Sequence, residues 1–274
     1  MLVNGVPGNS ISIRDRGLLY GDGVFRTLRA DKGKALHWPL HYLKLKRDCT
    51  ALGITCPDEA LLCAELDKVL AQHPDGVVKL IVTRGAGARG YTPSADVTPT
   101  RIWDFSPLPD YPPEWMTQGI KARLCNLRLS IQPRLACVKH LNRLENVLAA
   151  AELHDAQSHD HQLAEGLLLD ADGHLIEGIR SNLFLVSQGK LTTPDLSRCG
   201  VAGIQRGRVM AWALQHGMAL QVRDIGLEEA LHADEIFIVN SVIGLWPIRE
   251  LEQRYWSHFP VAAQIRHGLD RQDT

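Results

Sequence analysis

Lys139 is the residue in this sequence whose surroundings most suggest covalent chemistry. It ends the apolar run Leu135, Ala136, Cys137, Val138 and directly precedes NRLENVLAAAELH, a segment with helical patterning. A lone lysine is ordinarily a solvated surface charge. In an apolar setting its charged form is disfavoured, which lowers the amine pKa and leaves a nucleophile fit for a Schiff base. Glu177 closes the hairpin segment LLLDADGHLIEG; by itself it reads as a strand-end acid. Gly203, Ile204 and Gln205 open a helix, where free N–H groups and the positive dipole end can hold a phosphate. Ser241 follows the strand-like EIFIVN and offers a hydroxyl.

Other chemistries fail on context. Gly85-Ala86-Gly87-Ala88-Arg89-Gly90 has the G-x-G-x-x-G spacing after a strand, but Tyr91-Thr92-Pro93 follows where a dinucleotide fingerprint needs a helix. There is no Gly-Lys-Ser/Thr of a phosphate-binding loop and no G-x-S-x-G elbow. His37 and His41 lie four apart, and His159 and His161 flank Asp160, but neither pair has a third ligand in register. Both pairs read as partly exposed histidines, and no metal site is expected.

The elements that must position these groups are interspersed strands and helices. MLVNGVPGNSISIRD reads as a strand, a turn at Asn4-Gly5 and a second strand carrying Ile11 and Ile13. GVFRTLRA, VVKLIVTRG, RIWDFSPL and IKARLCNLRLS read as strands. A helix from Pro39 to Gly53 would bury Leu40, Leu43, Cys49 and Leu52, and one from Asp58 to Gln72 would bury Leu61, Leu62, Leu66, Val69 and Leu70. After Lys139, a helix would bury Leu144, Val147, Leu148 and Ala151. Hairpins turn at Asp172-Gly173 and within SNLFLVSQGKLTT; a helix closed by Gly217, the strand LQVRDI, the short helix LEEALHA and the strand EIFIVNS follow. SPLPDYPPEW, residues 106–115, holds four prolines in ten positions and reads as a linker. The expected organisation is α+β: an N-terminal domain at 1–105, this linker, and a C-terminal domain at 116–274 carrying the lysine.

The bulk properties fit a soluble enzyme. Lys+Arg number 30 against 31 Asp+Glu, so no global field favours nucleic acid or an anionic membrane, and an anionic substrate must be held locally. The six cysteines are scattered without a Cys-x-x-Cys pair and read as reduced thiols. No signal peptide and no apolar run of membrane-spanning length is visible, so the cytoplasm is the expected location.

Taken in order, GDGVFRT from Gly21, KHLNRLENVLA, LLLDADGHLIEGIRSNLFLV, GVAGIQR and NSVIGLWPI from Asn240 resemble the fold-type IV pyridoxal-phosphate enzymes over nearly the whole chain. That family includes branched-chain and D-amino-acid aminotransferases and 4-amino-4-deoxychorismate lyases. The resemblance implies a two-domain α+β fold with pyridoxal 5'-phosphate in an interdomain cleft. It implies that Lys139 carries the cofactor and, once displaced, acts as general acid/base. Glu177 would pair with the pyridine nitrogen and keep it protonated. Gly203, Ile204, Gln205 and Ser241 would hold the phosphate. The family usually clamps that phosphate with an arginine at the position aligned with Lys44. Lysine supplies the charge without the bidentate fork, so either Lys44 substitutes as a point charge or Arg47 reaches in.

RGAGARGY (Arg84 to Tyr91), GDGVFRTLR and KHLNRLEN are similar to the lyase pattern within the family. That likeness implies elimination of pyruvate from 4-amino-4-deoxychorismate to give 4-aminobenzoate, with Thr27 as a second proton donor. Arg29, Arg84 and Arg89 are candidates for the substrate carboxylates and Tyr91 for the ring pocket. The resemblance further implies a homodimer in which a loop of a second subunit completes the site. The alternatives are an aminotransferase of the same fold and a binding module that has lost the cofactor.

Overall fold

Period-two burial along Gly23–Asp31 sets the architecture of the first half of the protein. Val24, Arg26, Leu28 and Ala30 are buried, while Phe25, Thr27 and Arg29 point to the opposite face. The computed structural model describes residues 1–94 and 97–273. These divide into two units, Met1–Pro109 with Val138–Asn142, and Asp110–Cys137 with Arg143–Thr274.

The first unit contains β1 (Leu2–Val3), β2 (Val6–Pro7), α1 (Arg16–Tyr20), β3 (Gly23–Asp31), β4 (Lys34–Ala35), α2 (Trp38–Leu52), α3 (Glu59–Gln72), β5 (Gly76–Thr83) and β6 (Thr100–Ser106). Among the described residues its antiparallel sheet has the order β2-β1-β6-β5-β3-β4. Helices α2 and α3 cover one face, where Leu28, Leu45, Leu62, Leu80 and Trp103 are fully enclosed. The other face carries Phe25, Thr27 and Arg29. Ile11 and Ile13, expected in a strand, lie in irregular chain, and Ile13 is exposed. With only alternation to support it, that segment had no sheet edge to join.

The second unit contains α4 (Trp115–Gln118), β7 (Ile120–Leu129), α5 (Leu144–Gln157), β8 (Leu163–Asp170), β9 (Leu175–Gly178), β10 (Asn182–Ser187), β11 (Lys190–Pro194), α6 (Ile204–Gln215), β12 (Leu220–Arg223), α7 (Leu227–Leu231), β13 (Glu235–Asn240), β14 (Gly244–Leu251), β15 (Arg254–Tyr255) and α8 (Pro260–Asp273). Its sheet runs β12-β11-β10-β13-β14-β7-β8-β9, with β15 on β14. Strands β7, β8 and β14 pair in parallel, and every residue of β8 is buried. Helix α5 packs on β7 and β8, while α6 and α8 pack on β13, and α8 also on β14. Burial along almost their whole length explains the apolar runs LLL of β8 and IFIV of β13.

Two helical faces differ from expectation. In α2 the buried side is His41, Leu45, Asp48 and Cys49, and Leu40 and Leu43 are exposed. In α5 Ala149 and Leu153 are buried, whereas Leu144, Val147, Leu148 and Ala151 stand in solvent, Leu144 at 75% exposure. Leu61 of α3 is likewise exposed. An apolar stripe fixes a periodicity, not the face that meets the sheet: in α2 the inner side includes Asp48, which pairs with Arg26 and Lys44, and in α5 it is Ala149 and Leu153. Among the described residues no helix is long and apolar enough to cross a membrane.

Candidate active site

Lys139 belongs to the first unit, although second-unit residues flank it in sequence. Residues 139–141 run antiparallel to β3, bridging Val24 to His140. Phe25 N donates to Lys139 O at 3.0 Å and Leu141 N donates to Gly23 O at 3.0 Å. Asn142 Nδ2 donates to Gly21 O at 3.1 Å and anchors the exit. This pairing, not the flanking helix, sets the lysine. Its Nζ lies 4.3 Å from the centroid of the Phe25 ring. Strand alternation places Thr27 and then Arg29 farther along the same face as Phe25. Thr27 is half-buried and Arg29 exposed.

Asp48 of α2, buried at 2% exposure, accepts from the main-chain N of Lys139 at 3.2 Å. The same carboxylate pairs with Arg26 Nη2 and with Lys44 Nζ. Lys44 is therefore on the lysine side of α2, and Arg47 is exposed. His41, one turn earlier, is not the partly exposed histidine expected. It is 2% exposed, and neither ring nitrogen has a hydrogen-bond partner among the described residues. Burial, then the positive charges of Arg26, His37 and Lys139, pushes its pKa down to about 3. It is a neutral imidazole, with a donor and an acceptor both unused.

The segment from Arg84 to Tyr91 is held by a hub invisible to motif reading. Buried Arg16 donates from Nη1 to Gly90 O at 2.9 Å, from Nη2 to Tyr91 O at 2.8 Å and from Nε to Asp22 at 2.9 Å. Arg84, expected on a substrate carboxylate, is committed elsewhere: it pairs with Asp22 and donates to Leu52 O and Gly53 O, satisfying carbonyls at the C-terminus of α2. Arg89 is exposed, and so is Tyr91, at 87%, its ring tilted against Tyr20 at 5.5 Å.

The second unit gathers the other predicted groups at one end of its sheet. Glu177, 3% exposed on β9, accepts from Val201 N at 2.8 Å through Oε2. Asn182, at the start of β10, accepts from Gly203 N at 3.0 Å and donates to Val201 O at 2.7 Å. The chain entering α6 is thus bracketed by two side chains. Gly203 has to be glycine: a Cβ there would lie 2.4 Å from Asn182 Oδ1. No side chain caps α6, so the N–H groups of its first turn, at Ile204 and Gln205, lack intrahelical acceptors. Gln205 turns inward instead, accepting from Arg208 at 3.0 Å. Asn182 pairs in register with Val239, and two positions on lies the half-buried Ser241. Asn240 Oδ1 shapes that turn by accepting from Val242 N at 2.8 Å and Ile243 N at 2.9 Å.

These donor sets fit an aldehyde cofactor with a phosphate. The second unit offers an uncapped helix start, a cradle that a Cβ would fill, a hydroxyl and a buried carboxylate. The first offers a lysine amine beside an imidazole with unused donor capacity. The acidic cluster Asp170, Asp172 and His174 is a different matter: Arg198 donates into all three side chains.

The family model for class IV amino-transferases matches residues 23–251. Aminodeoxychorismate lyase of Vibrio harveyi is 37% identical over 248 residues, covering 90% of this chain and 89% of that protein. A putative branched-chain-amino-acid aminotransferase of Methanocaldococcus jannaschii is 32% identical over 248 residues, covering 89% and 83%. The crystal structure of 4-amino-4-deoxychorismate lyase from Pseudomonas aeruginosa superposes with a TM-score of 0.93 at 44% identity, covering 100% of this chain and 99% of that one. The two-unit α+β architecture is that of the fold-type IV enzymes.

Proposed function

Because this chain belongs to the class IV aminotransferase family, we propose that it is a pyridoxal-phosphate lyase. It would convert 4-amino-4-deoxychorismate to 4-aminobenzoate and pyruvate. The observation that carries this reading is the Lys139 edge: an amine set over Phe25 by main-chain pairing to β3, with the Thr27 hydroxyl on the same strand face. Identity of 37% and 44% to proteins named for this reaction supports the choice within the family.

When bound, the cofactor supplies an electron sink for a developing carbanion. The protein's own groups do the rest. Lys139 would hold the cofactor, and its amine, once free, would remove the proton from the amine-bearing ring carbon. Glu177 holds a proton on the pyridine nitrogen. The first turn of α6 at Gly203, Ile204 and Gln205, with Ser241, would hold the phosphate, and Lys44, at the position where the family usually has an arginine, would supply a point charge. Thr27 delivers a proton to the methylene of the leaving enolpyruvyl group as its C–O bond breaks. The proton balance closes: the ring loses one to Lys139, pyruvate gains one from Thr27, the proton held by Lys139 restores the Thr27 hydroxyl, and aromatisation drives the step.

Arg29 and Arg89 are the arginines proposed for the substrate carboxylates, with Tyr91 at the ring. Arg84 is left to its bonds with Asp22 and α2. Tyr91 and Arg89 are exposed on a loop fastened by Arg16, which suits their proposed use in a homodimer. The proposed location is cytoplasmic.

The test is to purify the protein with pyridoxal phosphate, add 4-amino-4-deoxychorismate, and follow the visible spectrum, pyruvate and 4-aminobenzoate. Equimolar products, lost by about 10²–10⁴-fold in Lys139→Ala, are expected. A cofactor spectrum without those products supports the second reading, an aminotransferase, which the 32% identity to a branched-chain relative favours. Failure to bind cofactor overturns both and leaves the binding module.

A further inference from the structure

The sheet face that carries Phe25 and Thr27 continues from β3 onto β5. Thr27 pairs in register with Lys79, and Lys79 with Asp104 of β6. Directly opposed residues of an antiparallel pair point to the same side, with Cβ atoms about 4.5–5.5 Å apart. Lys79 is therefore the immediate neighbour of Thr27, exposed on the side of the sheet away from Leu28, Leu80 and Trp103. Its ammonium stands 5.2 Å from the centroid of the Phe25 ring, the same ring over which the Lys139 amine lies at 4.3 Å. Among the described residues it makes no hydrogen bond and no ion pair, even with Asp104 beside it. Contact with a ring is weak at an exposed position and leaves the three ammonium donors unused.

The chemistry of the substrate says what would meet that charge. In 4-amino-4-deoxychorismate the carbon bearing the amine adjoins the carbon bearing the enolpyruvyl ether. Within the ether, the methylene and a carboxylate share one carbon. A residue that delivers a proton to the methylene therefore has this carboxylate beside it. The second carboxylate lies across the ring from the amine, farther from the lysine edge.

We propose that Lys79 binds the enolpyruvyl carboxylate of the substrate and holds its methylene against Thr27. The proposal deepens the lyase reading of the Lys139 site and rests on it. A lysine suits the task, because its ammonium is a point charge on a flexible stem and can lean from β5 toward β3. Arg29, one step beyond Thr27 on the same face, and Arg89 are left for the ring carboxylate. Lys79 holds its carboxylate before the C–O bond breaks as well as during the step, so its loss falls mainly on KM.

The experiment is steady-state kinetics of the cofactor-loaded wild type, Lys79→Gln and Lys79→Arg, with inhibition by two probes. Chorismate carries the enolpyruvyl ether with a hydroxyl in place of the amine; 4-aminobenzoate carries the ring carboxylate alone. In Lys79→Gln, KM and the inhibition constant of chorismate should rise about 10–100-fold, as for a lost hydrogen bond to a charged group. Inhibition by 4-aminobenzoate should not change, and Lys79→Arg should recover most of the loss. Lys79 is exposed, so melting temperatures near that of the wild type are expected. A lysine that serves only the sheet or the surface would leave both probes alone or weaken both equally, and either result overturns the proposal. So does a loss that Lys79→Arg fails to lessen. A wild type that binds cofactor but forms no 4-aminobenzoate overturns the lyase reading itself, whereas an active wild type matched by Lys79→Gln overturns only the assignment of Lys79.

Discussion

Lys139 and Phe25 are joined twice: Phe25 N donates to Lys139 O at 3.0 Å, and Lys139 Nζ stands 4.3 Å from the centroid of the Phe25 ring. The first link fixes where the lysine is, and the second fixes where its amine points. Phe25→Leu keeps the strand pairing and most of the apolar contact but removes the electron-rich ring face. We expect kcat to fall by about 2–5-fold, in line with a cation–π contribution of about 0.5–1 kcal/mol, with a melting temperature near that of the wild type. Steady-state kinetics and calorimetry check the split.

Thr27 shares the strand face of Phe25 and Lys139, so its hydroxyl should matter to the reaction and little to the fold. Thr27→Val is expected to reduce kcat by about 10²-fold while KM and melting change little. Thr27→Ser should recover much of the rate. Equal rates in Val and wild type would remove Thr27 from the mechanism.

Gly203→Ala places a methyl group 2.4 Å from Asn182 Oδ1. Backbone or amide must shift at a cost of about 1–3 kcal/mol, and the first-turn N–H groups of α6 move with them. Cofactor dissociation, followed by fluorescence quenching, should weaken about tenfold or more. Unaltered affinity would show that the α6 start does not hold phosphate.

Burial favours a raised pKa at Asp22, but hydrogen bonds and charges from Arg84 and Arg16 outweigh it and hold the carboxyl below its ordinary 3.8. With the folded pKa depressed, its stabilisation is complete above pH 3.8 and is lost as pH falls through the lower folded value. Asp22→Asn should therefore melt lower at neutral pH and show a shallower decline below pH 4. Parallel acid limbs in the two proteins would contradict this.

The sequence was legible wherever a local rule governs the outcome. The Asp172-Gly173 hairpin, the strands around Phe25 and Leu80, the Gly53 and Gly217 helix ends and the Gly203 helix start all follow from turn chemistry, alternation or capping. Lys139 was singled out by its apolar run together with the family resemblance of the segments around it. Its true support was not, because Asp48, Arg26 and β3 lie far away in the chain. Asn182 and Arg16 were missed for the same reason: nothing adjacent in sequence marks a polar residue whose partner arrives only on folding. Leu144, Val147 and Leu148 form a clear helical stripe, yet they face solvent because Ala149 and Leu153 meet the sheet. Arg84 looked available until its bonds to Asp22 and two carbonyls were seen.

The five residues Val138–Asn142 group with the first unit although second-unit chain precedes and follows them. Neither unit is therefore an uninterrupted stretch of gene. A fragment ending near Pro109 would lack an edge strand, and the complementary fragment would display its lysine with no β3 to receive it. The bond from Asn142 to Gly21 closes across 121 positions, so this edge cannot form until the chain through Asn142, just over half of the 274 residues, has been synthesised. The Lys139 amine is thus placed only when two segments distant in the chain meet, and recombination that exchanges halves of such genes would have to keep both sides of that pairing matched.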